Sequence, residues 1–417
     1  MKSGLGKGFL TGVLSSAALC LLCAPVADAA PALSASGREK THLLASALDH
    51  FYNLEYDASE KELDSRLRDD PHDLRALCYL ARIYLQREMF RRELLEAKVY
   101  DANGEAFRKD KPAVNQALRR KIFGTLGKLE GAAQSRLEQN PRDEEALYWL
   151  GASHVARAIY FLSLEKSNMQ ALGEAKAARK IHANLLRVDP DCADAYLVIG
   201  TYDYVAGSLP WYAKFLATLI GYHGDRQRGL QELERAAEHG DWARTDAETF
   251  LTILYYREKR YTEAISILRR LQAAYPRNFL LSQEIARAYK AQGDWRMAGR
   301  EYDALLKKYE SGAPGFSRLP AAKVYFQTGE VYQRLGERDE ALDRFQKAAK
   351  FEENNIYVYR AELAAARIEL AEDRESEARV RLERVARAVP SSDEGRAAAA
   401  ALKNHPTDPR SRDKDGR

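Results

Sequence analysis

Along most of its length the chain alternates short polar turns with stretches in which apolar residues recur every three or four positions. That is the period of a helix with one buried face. Three stretches repeat one another. The first begins near Thr245 and carries Leu251, Tyr255, Ala264, Leu268, Leu271 and Pro276. The second begins 34 residues later, near Phe279, with Ile285, Ala286, Tyr289, Ala298, Tyr302 and Leu305. A third, from Ala322, holds Tyr325, Gly329, Tyr332, Ala341, Phe345 and Ala348. Each predicts two helices joined by a polar turn such as Leu335-Gly336-Glu337-Arg338-Asp339. β-branched runs of period two are lacking, so no strand is predicted.

The spacing of small and large residues has a physical reading. Gly329 or Ala286 on one helix, with Ala341, Ala298 or Ala264 on the next, lets the two helices approach closely. Tyr332, Tyr289 and Tyr255 fill the wedge between neighbouring hairpins. A single hairpin leaves its apolar face uncovered, so it is stable only when stacked on others. These residues resemble the tetratricopeptide repeat, most closely over 322–353. The resemblance implies an all-α fold, a right-handed superhelical solenoid of about seven such hairpins.

The N-terminal half carries the same signature with long insertions. Leu147, Leu150 and Gly151 open a repeat that Ala178, Leu185 and Pro190 close. Tyr196, Ile199 and Gly200 pair with Gly229, Leu233 and Ala236. Upstream, Leu77, Leu80, Ala81 and Tyr84 open a repeat whose closing helix is expected near Leu126 to Glu138, although the spacing over 85–125 fits no standard hairpin. Residues 41–70 supply a first hairpin, with Tyr56-Asp57-Ala58 starting its second helix. Asp70-Pro71, Asn140-Pro141 and Asp189-Pro190 mark joints, because a proline pushes the preceding residue out of helical dihedrals. The run Gly207-Ser208-Leu209-Pro210, then Trp211, Gly221-Tyr222, Gly224-Asp225-Arg226 and Gly229-Leu230, makes residues 207–256 resemble the Iml2-like tetratricopeptide family. That likeness implies architecture only. Its aromatic segment, Leu209 to Tyr222, reads as an inserted helix packed over the array.

The termini differ in kind. Lys2 and Lys7 precede a mainly apolar run from Phe9 to Val26, followed by Ala27-Asp28-Ala29, the three-part pattern of a secretory signal with cleavage expected after Ala29. The chain is therefore expected to be periplasmic or otherwise exported. The expected organisation is a signal peptide over 1–29, divergent hairpins over 30–240, a regular array over 241–390, and a capping helix end with a polar tail over 391–417. No later run reaches the ~20 apolar residues a membrane span needs, while peripheral association with a membrane stays open. With 65 basic and 61 acidic residues the net charge is +4, a mixed surface without the basic stripe of a nucleic-acid binder. Cys20 and Cys23 leave with the signal. Cys78 and Cys192 fall on separate repeats and read as two independent buried thiols rather than a disulfide.

Candidate chemistry is sparse. His42 and His50 lack a third ligand, so no metal site is expected, and no cofactor. His182 falls where a repeat keeps an aromatic and reads as a half-buried packing residue. Gly124-Thr125-Leu126-Gly127-Lys128 lacks the length and preceding strand of a phosphate loop. No nucleophile–base constellation can be assembled, so no enzymatic activity is expected. In tetratricopeptide arrays the first helix of each hairpin lines the concave face. Carried position by position, this resemblance implies a groove of Thr249, Ile253, Tyr256 and Arg257, then Gln283, Arg287 and Lys290, then Phe326, Glu330, Gln333 and Arg334. Mixed basic, aromatic and amide side chains of this kind suit an extended peptide. The lysine and asparagine by which some family members clamp a terminal carboxylate are missing. The leading expectation is an exported scaffold or adaptor for a protein or peptide partner, serving secretion, assembly or transport. The alternative is a small-ligand receptor of a solute-uptake system, its pocket roofed by the insertions over 151–229.

Overall fold

The computed structural model describes residues 35–95, 115–208, 224–352 and 355–405. The expected signal peptide, the aromatic segment over 209–222 and the tail beyond 405 lie outside the described residues, as do residues 96–114 of the stretch over 85–125. Seventeen helices and no strand are found among the described residues. In chain order they are α1 (Ala35–Tyr52), α2 (Tyr56–Asp69), α3 (Leu74–Arg91), α4 (Gln116–Gln139), α5 (Glu144–Ser163), α6 (Asn168–Val188), α7 (Ala195–Gly207), α8 (Arg226–His239) and α9 (Arg244–Arg257). There follow α10 (Tyr261–Ala274), α11 (Phe279–Gln292), α12 (Trp295–Glu310), α13 (Ala321–Leu335), α14 (Arg338–Ala348), α15 (Ile356–Ala371), α16 (Glu375–Ala388) and α17 (Asp393–Asn404). The architecture is a solenoid of helical hairpins, as the repeats predict. The chain divides into two compact units, 1–284 and 285–417, the division falling inside α11.

The small residues do the work their spacing suggests. A side-chain carbon added at Gly329 on α13 would lie 2.5 Å from the ring of Phe345 on α14, which is fully buried. The turn after α13 is made by Gly336 in the left-handed region, φ 81°, where a glycine is strain-free. Tyrosines stitch successive hairpins together. Tyr255 on α9 donates to Glu234 on α8 at 2.7 Å, and Tyr332 on α13 donates to Asp303 on α12. Burial and that carboxylate push the Tyr332 phenol up to about 12.

Two of the three proline joints, Asp70-Pro71 and Asn140-Pro141, share a construction. Asp70 and Asn140 end α2 and α4 in extended conformation, and each accepts the backbone N–H two residues on, at 3.1 Å. Asp73 and Asp143 then cap α3 and α5, accepting from Ala76 and Ala146. Each cap also receives the Nε–H of an arginine seven residues earlier, Arg66 or Arg136, at 2.8 Å. Helix stop, helix start and the bend between them are thus fixed by one short segment.

Candidate binding face on the first helices of the hairpins

In the unit 1–284 the faces that the first helices turn toward one another are packed shut. Tyr79 on α3 meets Trp149 on α5 edge-on at 6.1 Å, and Tyr148 and Trp149 pack on Trp242 at 5.0 and 5.9 Å. Arg82 on α3 pairs with Asp246 on α9 at 2.8 Å, both buried. Its guanidinium lies 4.7 Å from the ring of Tyr79. Burial works against the charge on Arg82, and the Asp246 carboxylate together with Tyr79 and Tyr52 offsets it, holding the guanidinium well above its ordinary range. The first hairpin also returns against the end of the fifth. Arg277 bonds Glu55 at 2.9 Å and pairs with Asp49, Asn278 donates to the Tyr52 carbonyl at 2.8 Å, and Tyr275 packs on Tyr52 at 5.6 Å. Among these side chains lies a cavity of about 30 Å³ whose lining includes Cys78, Arg82, Trp149, His182 and Asp246, room for a water or two.

Of the residues that the sequence places in a groove, those on α9 stand accordingly. Ile253 is buried, Thr249 and Tyr256 are half-buried, and Arg257 is exposed. Tyr256 packs edge-on against Tyr261. Gln283 and Arg287 on α11 are buried.

In the unit 285–417 the corresponding face carries accessible side chains. Lys290 on α11 reaches Glu330 on α13 at 3.4 Å. Lys290 and Arg334 lie 5.8 and 5.7 Å from the ring of Trp295, so two of the expected groove residues meet around one indole. Phe326 on the same helix packs against Phe345 and against Tyr357 on α15, at 5.8 and 5.9 Å. Arg360 lies over Tyr357 at 5.4 Å and bonds Glu394 on α17 at 2.8 Å. Gln333, Arg334 and Arg367 are exposed. Lysine and arginine therefore outnumber carboxylates along a strip floored by aromatic rings, and cations over π-faces are held in place while still presenting N–H donors. Sequence reasoning missed Trp295, which starts a closing helix, and Arg360 and Arg367. The same positional rule, continued one repeat onto α15, would have found the two arginines.

Among the described residues Cys78 and Cys192 are free, Cys78 buried and Cys192 partly so. Among the described residues no cluster of three potential ligands is placed to hold a metal, and no helix is long and apolar enough to cross a membrane.

A tetratricopeptide-repeat family model matches residues 251–278 and 323–351. No curated protein matches the sequence. Among solved structures, a thermophilic tetratricopeptide protein of Thermus thermophilus is 18% identical with a TM-score of 0.33, covering 60% of this chain and 98% of that one. PilW, described as a widely conserved type IV pilus biogenesis factor, is 17% identical with a TM-score of 0.36, covering 58% of this chain and 93% of its own. A tetratricopeptide protein of Parabacteroides merdae is 16% identical with a TM-score of 0.28, covering 78% and 98%. Likeness at that level says nothing of what the chain binds.

Proposed function

We propose that this tetratricopeptide-repeat chain is an exported adaptor that grips an acidic, extended segment of a partner protein along the first-helix face of residues 285–417. The observation that carries the reading is the Trp295 cluster, where Lys290 and Arg334 sit over an indole and Glu330 pairs with Lys290. With Arg367 exposed further along, this face suits carboxylates spaced along an extended backbone, its rings supplying apolar contact between them. Export rests on the basic–apolar–small pattern of residues 1–29, and an envelope process such as secretion, assembly or transport follows from it. At about 30 Å³ the cavity beside Trp149 is far below the roughly 300–1,000 Å³ of a metabolite site and gives the small-ligand alternative no support.

The test is photo-crosslinking in intact cells from a reactive group at Gln333, with Lys350, exposed just after α14, as the control. A single partner trapped from Gln333 through an Asp/Glu-rich segment, and lost at least tenfold in Arg334→Glu/Arg367→Glu, is the expected result. A trapped segment without acidic residues, or equal capture from Lys350, would overturn the reading. Export is checked separately by sequencing the N-terminus of the purified protein, which is expected to begin at Ala30.

A further inference from the structure

Among the described residues four lysines and arginines are buried: Arg75, Arg82, Arg287 and Lys323. A cation taken out of water is costly unless something compensates it. Arg82 has Asp246 at 2.8 Å, Lys323 lies 5.6 Å from the ring of Tyr357, and Arg287 is engaged as well. Arg75 makes no ion pair, side-chain hydrogen bond or ring contact among the described residues, and its Nε is sealed from solvent. Its position adds to the cost, because Arg75 is the second residue of α3 and a helix N-terminus is itself positive. The nearest carboxylate along the chain is already spent. Asp73 accepts the Ala76 N–H at 2.9 Å and the Arg66 guanidinium at 2.8 Å.

A second donor stands beside this cation. Tyr79, one turn further along α3, shares the face of Arg75. Its hydroxyl is 2.8 Å from that of Tyr52, and both residues are buried. Two hydroxyls joined in this way use one proton between them, so one O–H of the pair is left over. No acceptor for it is found among the described residues. Burial pushes the Tyr79 phenol up, and the charges of Arg82 and Arg75 oppose that rise, which places Arg75 within electrostatic reach of the phenol. Guanidinium N–H groups and a phenol O–H therefore sit together with nothing to accept from them.

We infer that Arg75 and Tyr79 hold a small oxyanion, a carboxylate or a phosphate-type group of a free solute. Tyr52 donates to Tyr79, Tyr79 donates to the anion, and the Nη groups of Arg75 supply the charge and further N–H donors. Only 7% of Arg75 is exposed, so the opening admits a compact group and not a peptide chain. The site lies in the unit 1–284, apart from the first-helix face of residues 285–417, and does not depend on that reading.

The experiment follows thermal unfolding of the purified protein in dilute buffer while sodium phosphate, sodium acetate or sodium chloride is added at matched ionic strength. Phosphate or acetate is expected to raise the midpoint by at least about 2 °C beyond chloride, and which of the two acts tells a phosphate-type site from a carboxylate site. That extra rise is expected to vanish in Arg75→Gln and Tyr79→Phe and to survive in Tyr52→Phe, where Tyr79 keeps its O–H. In chloride alone Arg75→Met is expected to unfold no lower than the parent, because the substitution removes an uncompensated charge. An equal rise with chloride would mean general screening and overturn the proposal. So would the absence of any rise, a rise that persists in Arg75→Gln, or a clear fall in the midpoint of Arg75→Met in chloride, which would give the arginine a packing role instead.

Discussion

His182 is fully buried on α6, so close to α5 that a side-chain carbon added at Gly151 would overlap its ring. Its Nδ1 is 3.0 Å from the Ala178 carbonyl, and burial pulls its pKa from 6.5 down to about 4. The folded chain therefore binds fewer protons here than the unfolded chain between those values. Stability from this residue is complete above pH 6.5 and is lost as pH falls toward 4, by up to about 3 kcal/mol. Asp194, raised by burial to about 6, and Glu232, raised by burial and by Asp203 to about 7, act in the opposite sense. The contribution of His182 is thus isolated by comparison with His182→Gln. On acidification from pH 7 to 4.5 the parent's urea midpoint is expected to fall more than the variant's, whereas parallel shifts would rule the mechanism out. The packing role of this histidine was legible in the sequence, because it stands where a repeat holds an aromatic. Its depressed pKa was not, since that follows from what surrounds it in three dimensions.

At the scale of the element, the joints are the most informative feature. Proline marks them in the sequence, but the arginine seven residues before the caps Asp73 and Asp143 carries no periodic signal and was not read. Asp143→Ala removes both the cap on α5 and the Arg136 contact. The cap contributes roughly 1 kcal/mol and the partly exposed ion pair less than that, so a loss of about 1–2 kcal/mol is expected, against a smaller one for Arg136→Met. Equal losses, measured by chemical denaturation of the full chain, would show that the pair rather than the cap holds the joint. Helix identity and the hairpin repeat were legible here because 3.6-residue periodicity is local. The start of α2 at Tyr56 and the placing of α4 over the expected closing helix follow from the same signal. The openness of the first-helix faces was not legible. An inward aromatic such as Trp149 and an accessible one such as Phe326 obey the same spacing, and only long-range packing tells them apart.

For the N-terminal unit as a whole, the buried pair of Arg82 and Asp246 joins helices 164 residues apart in sequence. Breaking it from one side, as in Arg82→Met, strands a carboxylate in an aromatic interior and is expected to cost about 3–5 kcal/mol. Arg82→Met/Asp246→Leu is expected to cost much less, because no charge is left unpaired. A double-mutant cycle read by thermal and denaturant unfolding checks this, and additive losses would mean that the pair is not coupled. Hairpin arrays ordinarily gain stability from nearest neighbours alone and form progressively from any point. Here Asp49 waits for Arg277, 228 residues downstream. On a ribosome adding about 5–20 residues per second, the first hairpin emerges roughly 10–45 s before the segment that covers it. Throughout that interval its aromatic side, Phe51 and Tyr52 included, is a surface for chaperones to hold. The nascent chain, rather than the finished molecule, is therefore where substitutions at these contacts are expected to be felt first.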